Sequence, residues 1–80
     1  MEINKDIWNS LSDRTKMEIV CRVYIENAKA AKKSLNTAHG SIALMAVEGY
    51  SATEIAIKLG NASLEYVKGG LRDIENFVTK

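Results

Sequence analysis

Eighty residues, with eleven basic and ten acidic side chains, no proline and five glycines, make one small domain of net charge +1. A core this small often leans on a second subunit or a partner. A lone cysteine (Cys21) beside a lone histidine (His39) excludes an internal disulfide and a zinc cluster, which points to a cytoplasmic protein.

No apolar run approaches the roughly 20 residues that cross a bilayer. The opening MEINKDIW also lacks the apolar core of a signal peptide. Ala, Leu, Lys, Glu, Met and Ile dominate, so the chain reads as all-α. The expected layout is a single domain, with a helical arm and a long helix over 1–36 and a helix-turn-helix unit over 37–80.

The first segment, 2–9, predicts a short helical arm anchored by Ile3, Ile7 and Trp8. Ser10 or Ser12 then caps the longest helix, and Asp13 lies in its first turn, where the helix dipole favours an anion. That helix is expected over 13–35. Met17, Cys21, Tyr24, Ala28, Ala31 and Leu35 recur at alternating spacings of three and four, a heptad seam. Two uses fit it: burial against the domain's own helices, or a homodimer built on Cys21, Tyr24, Ala28, Ala31 and Leu35. Lys29, Lys32 and Lys33 flank its narrow alanine half.

Asn36 and Thr37 break the pattern and can cap a third helix over 39–49, with Gly49 placed for a left-handed C-terminal cap. Ser51 and Glu54 have capping-box spacing, the hydroxyl and the carboxylate each accepting from the other residue's backbone N–H. Ile55, Ala56 and Leu59 form the inner face of a short helix that Gly60 ends. A last helix starts near Ser63 and carries Leu64, Val67, Leu71, Ile74 and Val78 on one side.

Within this half, IALMAVEGYSATEIAIKLG resembles the helix-turn-helix of LuxR-type response regulators, and region 4 of bacterial sigma factors is similar over the same stretch. The likeness runs from 42 to about 77. In those families the last helix follows a Val-Lys pair, here Val67 and Lys68, and lies in the major groove. The resemblance therefore implies double-stranded DNA as the partner and transcription as the process controlled. The matching residues also have plain structural jobs, so the likeness speaks more for fold than for function.

Three features depart from the families' pattern. The step from Leu59 to Val67 is one residue longer. Gly69 and Gly70 stand where a polar pair is usual. Ile57 stands where a charged residue is usual. Charge adds a fourth tension: residues 1–40 carry seven basic against five acidic side chains, whereas 41–80 carry four against five. Dedicated DNA-binding domains are usually clearly basic.

Two functions follow. In the first, the chain is a DNA-binding regulator acting as a dimer. Lys68 and Arg72 make the principal contacts, Ser51, Thr53 and Ser63 donate to phosphates, and Lys29, Lys32 and Lys33 form a backbone-binding patch. In the second, the same fold binds a regulatory protein, with Ile57, Gly69, Gly70 and Trp8 as its contact residues. Nothing in the sequence forms a catalytic constellation, a metal site or a cofactor motif, so the chain reads as a non-enzyme. Cys21 is expected to be a buried structural thiol, and His39 to have a cap or surface role.

Overall fold

The computed structural model describes residues 4–79, and Ile3 of the expected arm lies outside them. Among these residues the chain forms five α-helices: α1 (Lys5–Ser10), α2 (Asp13–Ala30), α3 (Ala38–Val47), α4 (Ala52–Lys58) and α5 (Leu64–Thr79). No strand occurs among the described residues, so the fold is all-α. Among the described residues no helix is long and apolar enough to cross a membrane.

Each helix starts where a short polar side chain can accept from its orphan amides. Asn4 caps α1 through the backbone N–H groups of Asp6 and Ile7, at 3.0 and 3.3 Å. Ser12, not Ser10, caps α2 by accepting from Thr15 N–H at 3.2 Å. Thr37 caps α3 through Gly40 N–H at 3.0 Å, and Ser63 caps α5 through Tyr66 N–H at 3.1 Å. Such caps contribute about 1 kcal/mol each. α1 is otherwise lightly held: Ile7 is 62% exposed and only Trp8 packs against the core, so Ile7 is not an anchor.

α2 ends at Ala30, not near Leu35. Lys32 turns left-handed at φ +55°, the Lys32 N–H bonds to the Lys29 carbonyl, and the Lys33 N–H bonds to the Ala28 carbonyl at 2.8 Å. This paired closure satisfies the last carbonyls and reverses the chain. The reversal lets the first turn of α3 lie against the backbone at Leu35, where a Cβ on Gly40 would overlap the Leu35 carbonyl. AKAAKKSL has good local helix propensity, but packing of α3 on α2 overrides it.

Gly49, at φ +101°, closes α3 in the same way: its N–H bonds to the Ala46 carbonyl and the Tyr50 N–H bonds to the Met45 carbonyl. The Ser51–Glu54 capping box then opens α4. Residues 59–63 join α4 to α5. Gly60 (φ +81°) and Asn61 (φ +61°) are both left-handed, and the Ala62 N–H returns to the Ala56 carbonyl at 2.9 Å. Asparagine is a residue type that tolerates the left-handed region.

α5 packs on α2, α3 and α4. Ile42, Ile55, Val67, Ile74 and Cys21 are the largest fully buried side chains, and they come from all four of these helices. Burying an aliphatic side chain of this size stabilises by roughly 1.5–3 kcal/mol, so α5, which supplies Val67 and Ile74, cannot leave without dismantling the core. Its inner side is occupied by Val67, Gly70, Ile74 and Val78, which leaves Glu65, Lys68, Arg72, Asp73 and Asn76 exposed.

Candidate functional site

The exposed side of α5 carries Lys68 and Arg72, the two residues expected to make the principal contacts with DNA. Lys68 and Arg72, one turn apart, are both exposed, and neither forms an ion pair among the described residues. They share a hollow of about 320 Å³ with Lys16, Asp13 and Glu75. Lys16 is a member that sequence reasoning missed. Its helix periodicity places it beside Met17, but only the packing of α2 on α5 carries it to Lys68 and Arg72. Arg14 belongs to the same end of the molecule, where its guanidinium donates to the Gly49 carbonyl and ties α2 to the α3–α4 turn.

Lys29, Lys32 and Lys33 do not join this group. Lys33 lines a different hollow, with Phe77 and Val78 of the last turn of α5, and Lys29 reaches Glu26 at 3.9 Å on the exposed side of α2. Lys29 lies in the last turn of α2 and Lys16 in its first, so this lysine cluster is at the far end of the helix from Lys16. A single basic patch joining both sets is therefore not formed.

The polar residues expected at helix starts are present with defined partners. Ser51 Oγ accepts from Glu54 N–H at 3.2 Å, and the Glu54 carboxylate accepts from Ser51 N–H at 3.1 Å. Those hydrogen bonds, backbone first, then the Arg14 and Lys58 charges, hold the Glu54 carboxyl below its ordinary range. The start of α4 thus carries a persistent negative charge beside Ser51 and the exposed Thr53. Any phosphate approaching it meets Arg14 and Lys58 as well as a carboxylate. Lys58 also lies 4.5 Å from the centroid of the Tyr50 ring. Ser63 Oγ accepts from Tyr66 N–H and keeps its own proton free to donate outward.

The two glycines are different objects. Nothing lies within 4 Å of a Cβ built on Gly69, so no internal contact requires glycine there. Gly70 is buried, and a Cβ on it would come 2.7 Å from Ile42 Cδ1. Gly70 therefore serves the crossing of α5 over α3. Ile57 is 61% exposed, as its sequence position implied. Trp8 is not a free contact residue either: it packs partly into the core, with Lys16 Nζ 5.9 Å from its ring centroid.

The seam also divides. Cys21 and Ala28 are buried in the chain's own core, and burial pushes the Cys21 thiol up to about 11. Leu35 lies beyond the end of α2 and packs partly against the core. Tyr24 and Ala31 remain accessible, so the five residues do not form one continuous stripe for a second subunit. His39 is near the start of α3, with Nε2 3.3 Å from Asp73 Oδ2 and its ring edge-on to Phe77 at 6.3 Å. Neither partner is legible in sequence, because each is more than thirty positions away.

No known protein family, curated protein or solved structure matches the chain.

Proposed function

We propose that this chain is a helix-turn-helix regulator that binds double-stranded DNA and controls transcription. α4 would sit across the groove and α5 would lie within it. The observation that carries this reading is the outer face of α5. Two cations without ion-pair partners among the described residues, Lys68 and Arg72, flank a glycine that nothing inside the fold requires. A mid-helix glycine costs about 1 kcal/mol against alanine, and its bare backbone allows close approach from outside. Arg72 suits a guanine edge, and Lys68 with Lys16 suits the phosphate backbone. Ser51, Thr53 and Ser63 add hydroxyl donors at the starts of α4 and α5.

Few cations serve each copy, and Glu65 and Asp73 oppose them on the same helix. Two copies on one operator therefore supply the affinity that one copy lacks. The test is fluorescence anisotropy on duplex DNA from about 50 to about 300 mM salt, where phosphate contacts produce a steep loss of affinity. Lys68→Ala and Arg72→Ala each weaken binding under this proposal, and Lys68→Ala also lowers the salt slope by about one for each bound copy.

Exposed Ile57 favours a second reading, in which the α4–α5 face binds a regulatory protein. Binding built on Ile57 and Gly69 is nearly indifferent to salt. Absence of DNA binding at low salt, with a salt-insensitive protein complex lost in Ile57→Asp, would establish this second reading instead.

A further inference from the structure

A second surface lies at the other end of the molecule. Between the last turns of α2 and α5 runs an open groove of about 590 Å³. Tyr24, Ala28, Ala31, Phe77 and Val78 make up its apolar lining. Phe77 is 66% exposed, although a phenylalanine on a helix with a well-packed inner side has no need to be there. The residues from Tyr24 to Ala31 span two turns of helix, about 10 Å of length, which is the contact a short helix makes when it lies along a groove.

Charge says what kind of helix. Among the described residues no carboxylate lines the groove, whereas Lys33 and His39 do. The groove also takes in Thr37, the cap of α3, and so meets the positive end of that helix. The negative ends of α2 and α5 also lie at this end of the molecule, and that of α2 is blunted because the Lys29 and Ala28 carbonyls already accept from the Lys32 and Lys33 N–H groups. The nearby carboxylate of Asp73 is engaged by His39 at 3.3 Å and stays outside the lining. Lys32 adds a cation beside Lys33 from a left-handed backbone, φ +55°, where glycine is the easier residue.

We propose that this groove receives an acidic amphipathic helix of a partner protein. The helix sets apolar side chains on Ala28 and Ala31, between Tyr24 and Phe77, and carboxylates toward Lys32, Lys33 and the start of α3. The surface is separate from the α5 face assigned to DNA, so the two can be occupied together. A partner held here would be carried to DNA by this chain.

The probe is a synthetic sixteen-residue peptide with leucines on one helical face and glutamates on the other, titrated into the whole protein and followed by backbone amide shifts. A control peptide replaces every glutamate by lysine. The acidic peptide is expected to shift residues 24–34 and 77–78. Ala31→Glu and the pair Lys32→Glu with Lys33→Glu each weaken it at least about tenfold. All three positions are exposed, and unchanged circular dichroism establishes that the variants fold. The proposal is overturned if the lysine peptide binds equally well, if the shifts fall on the Lys68 and Arg72 face, or if no acidic peptide binds at millimolar concentration. It is equally overturned if the free protein sediments as a dimer that Ala31→Glu dissociates, because the groove then belongs to a second copy.

Discussion

Gly70 lies under Ile42 so closely that a Cβ on it would come 2.7 Å from the Ile42 Cδ1, whereas a Cβ on neighbouring Gly69 would meet nothing. Two adjacent glycines in one helix thus answer to different demands. Replacing Gly69 by alanine should stabilise the fold by up to about 1 kcal/mol through helix propensity alone. Replacing Gly70 by alanine has the same propensity gain, but it pushes on a side chain that is only 1% exposed. Overpacking of that kind costs roughly 1–3 kcal/mol, so Gly70→Ala should be less stable than the unmodified protein by about 1 kcal/mol. Urea unfolding of both variants reads the two signs. Equal and positive effects would mean that the α3–α5 crossing is loose.

If Gly69 is open because DNA approaches it, its alanine variant should be more stable and yet bind DNA more weakly. Glu65, on the same exposed side, should act in the opposite sense. Glu65→Gln removes a charge that repels phosphate and is expected to tighten binding severalfold at low salt, with the gain shrinking as salt rises. Anisotropy titrations at two salt concentrations measure this. Unchanged affinity in Glu65→Gln, beside a loss in Arg72→Ala, would confine the DNA contact to the Lys16–Lys68–Arg72 side of α5.

The Glu54 carboxyl is held below its ordinary range by its hydrogen bonds with Ser51 and by the Arg14 and Lys58 charges. A depressed folded value means that the unfolded chain takes up the proton first. The stabilisation is complete above the unfolded glutamate range, roughly above pH 5, and is lost as pH falls through the folded value. Glu54→Gln should remove this part of the acid sensitivity while keeping a hydrogen-bond acceptor for Ser51 N–H. Thermal melts from about pH 3 to about pH 7 should show the curves of the two proteins converging at the acid end. Ser51→Ala, which deletes the other half of the box, should cost about 1 kcal/mol at neutral pH.

Cys21 is fully buried, and its thiol is pushed up to about 11 by that burial. The thiolate is the reactive species, so an alkylating reagent at about pH 8 should leave the native protein unmodified and label it completely in urea. The labelling rate then reports opening of the α2–α5 core. Rapid modification of the native protein would place Cys21 on an accessible surface and reinstate it as a seam residue.

The local pattern of the sequence was sufficient for the helix count, the Thr37 cap, the Ser51–Glu54 box, the left-handed Gly49, and Val67, Ile74 and Val78 on the inner face of α5, where Gly70 takes a place the pattern gave to Leu64 and Leu71. Each of these depends on residues within about four positions of one another, the range over which a helix places its side chains and satisfies its ends. Packing between helices decided the rest. α2 stops five residues early, and α3 returns against Leu35 with Gly40 at the contact. Lys16 joins Lys68 and Arg72, His39 meets Asp73, and Phe77 is left standing over an open groove. These pairings join residues more than thirty positions apart, and no periodicity in one helix encodes the azimuth at which another helix lies upon it.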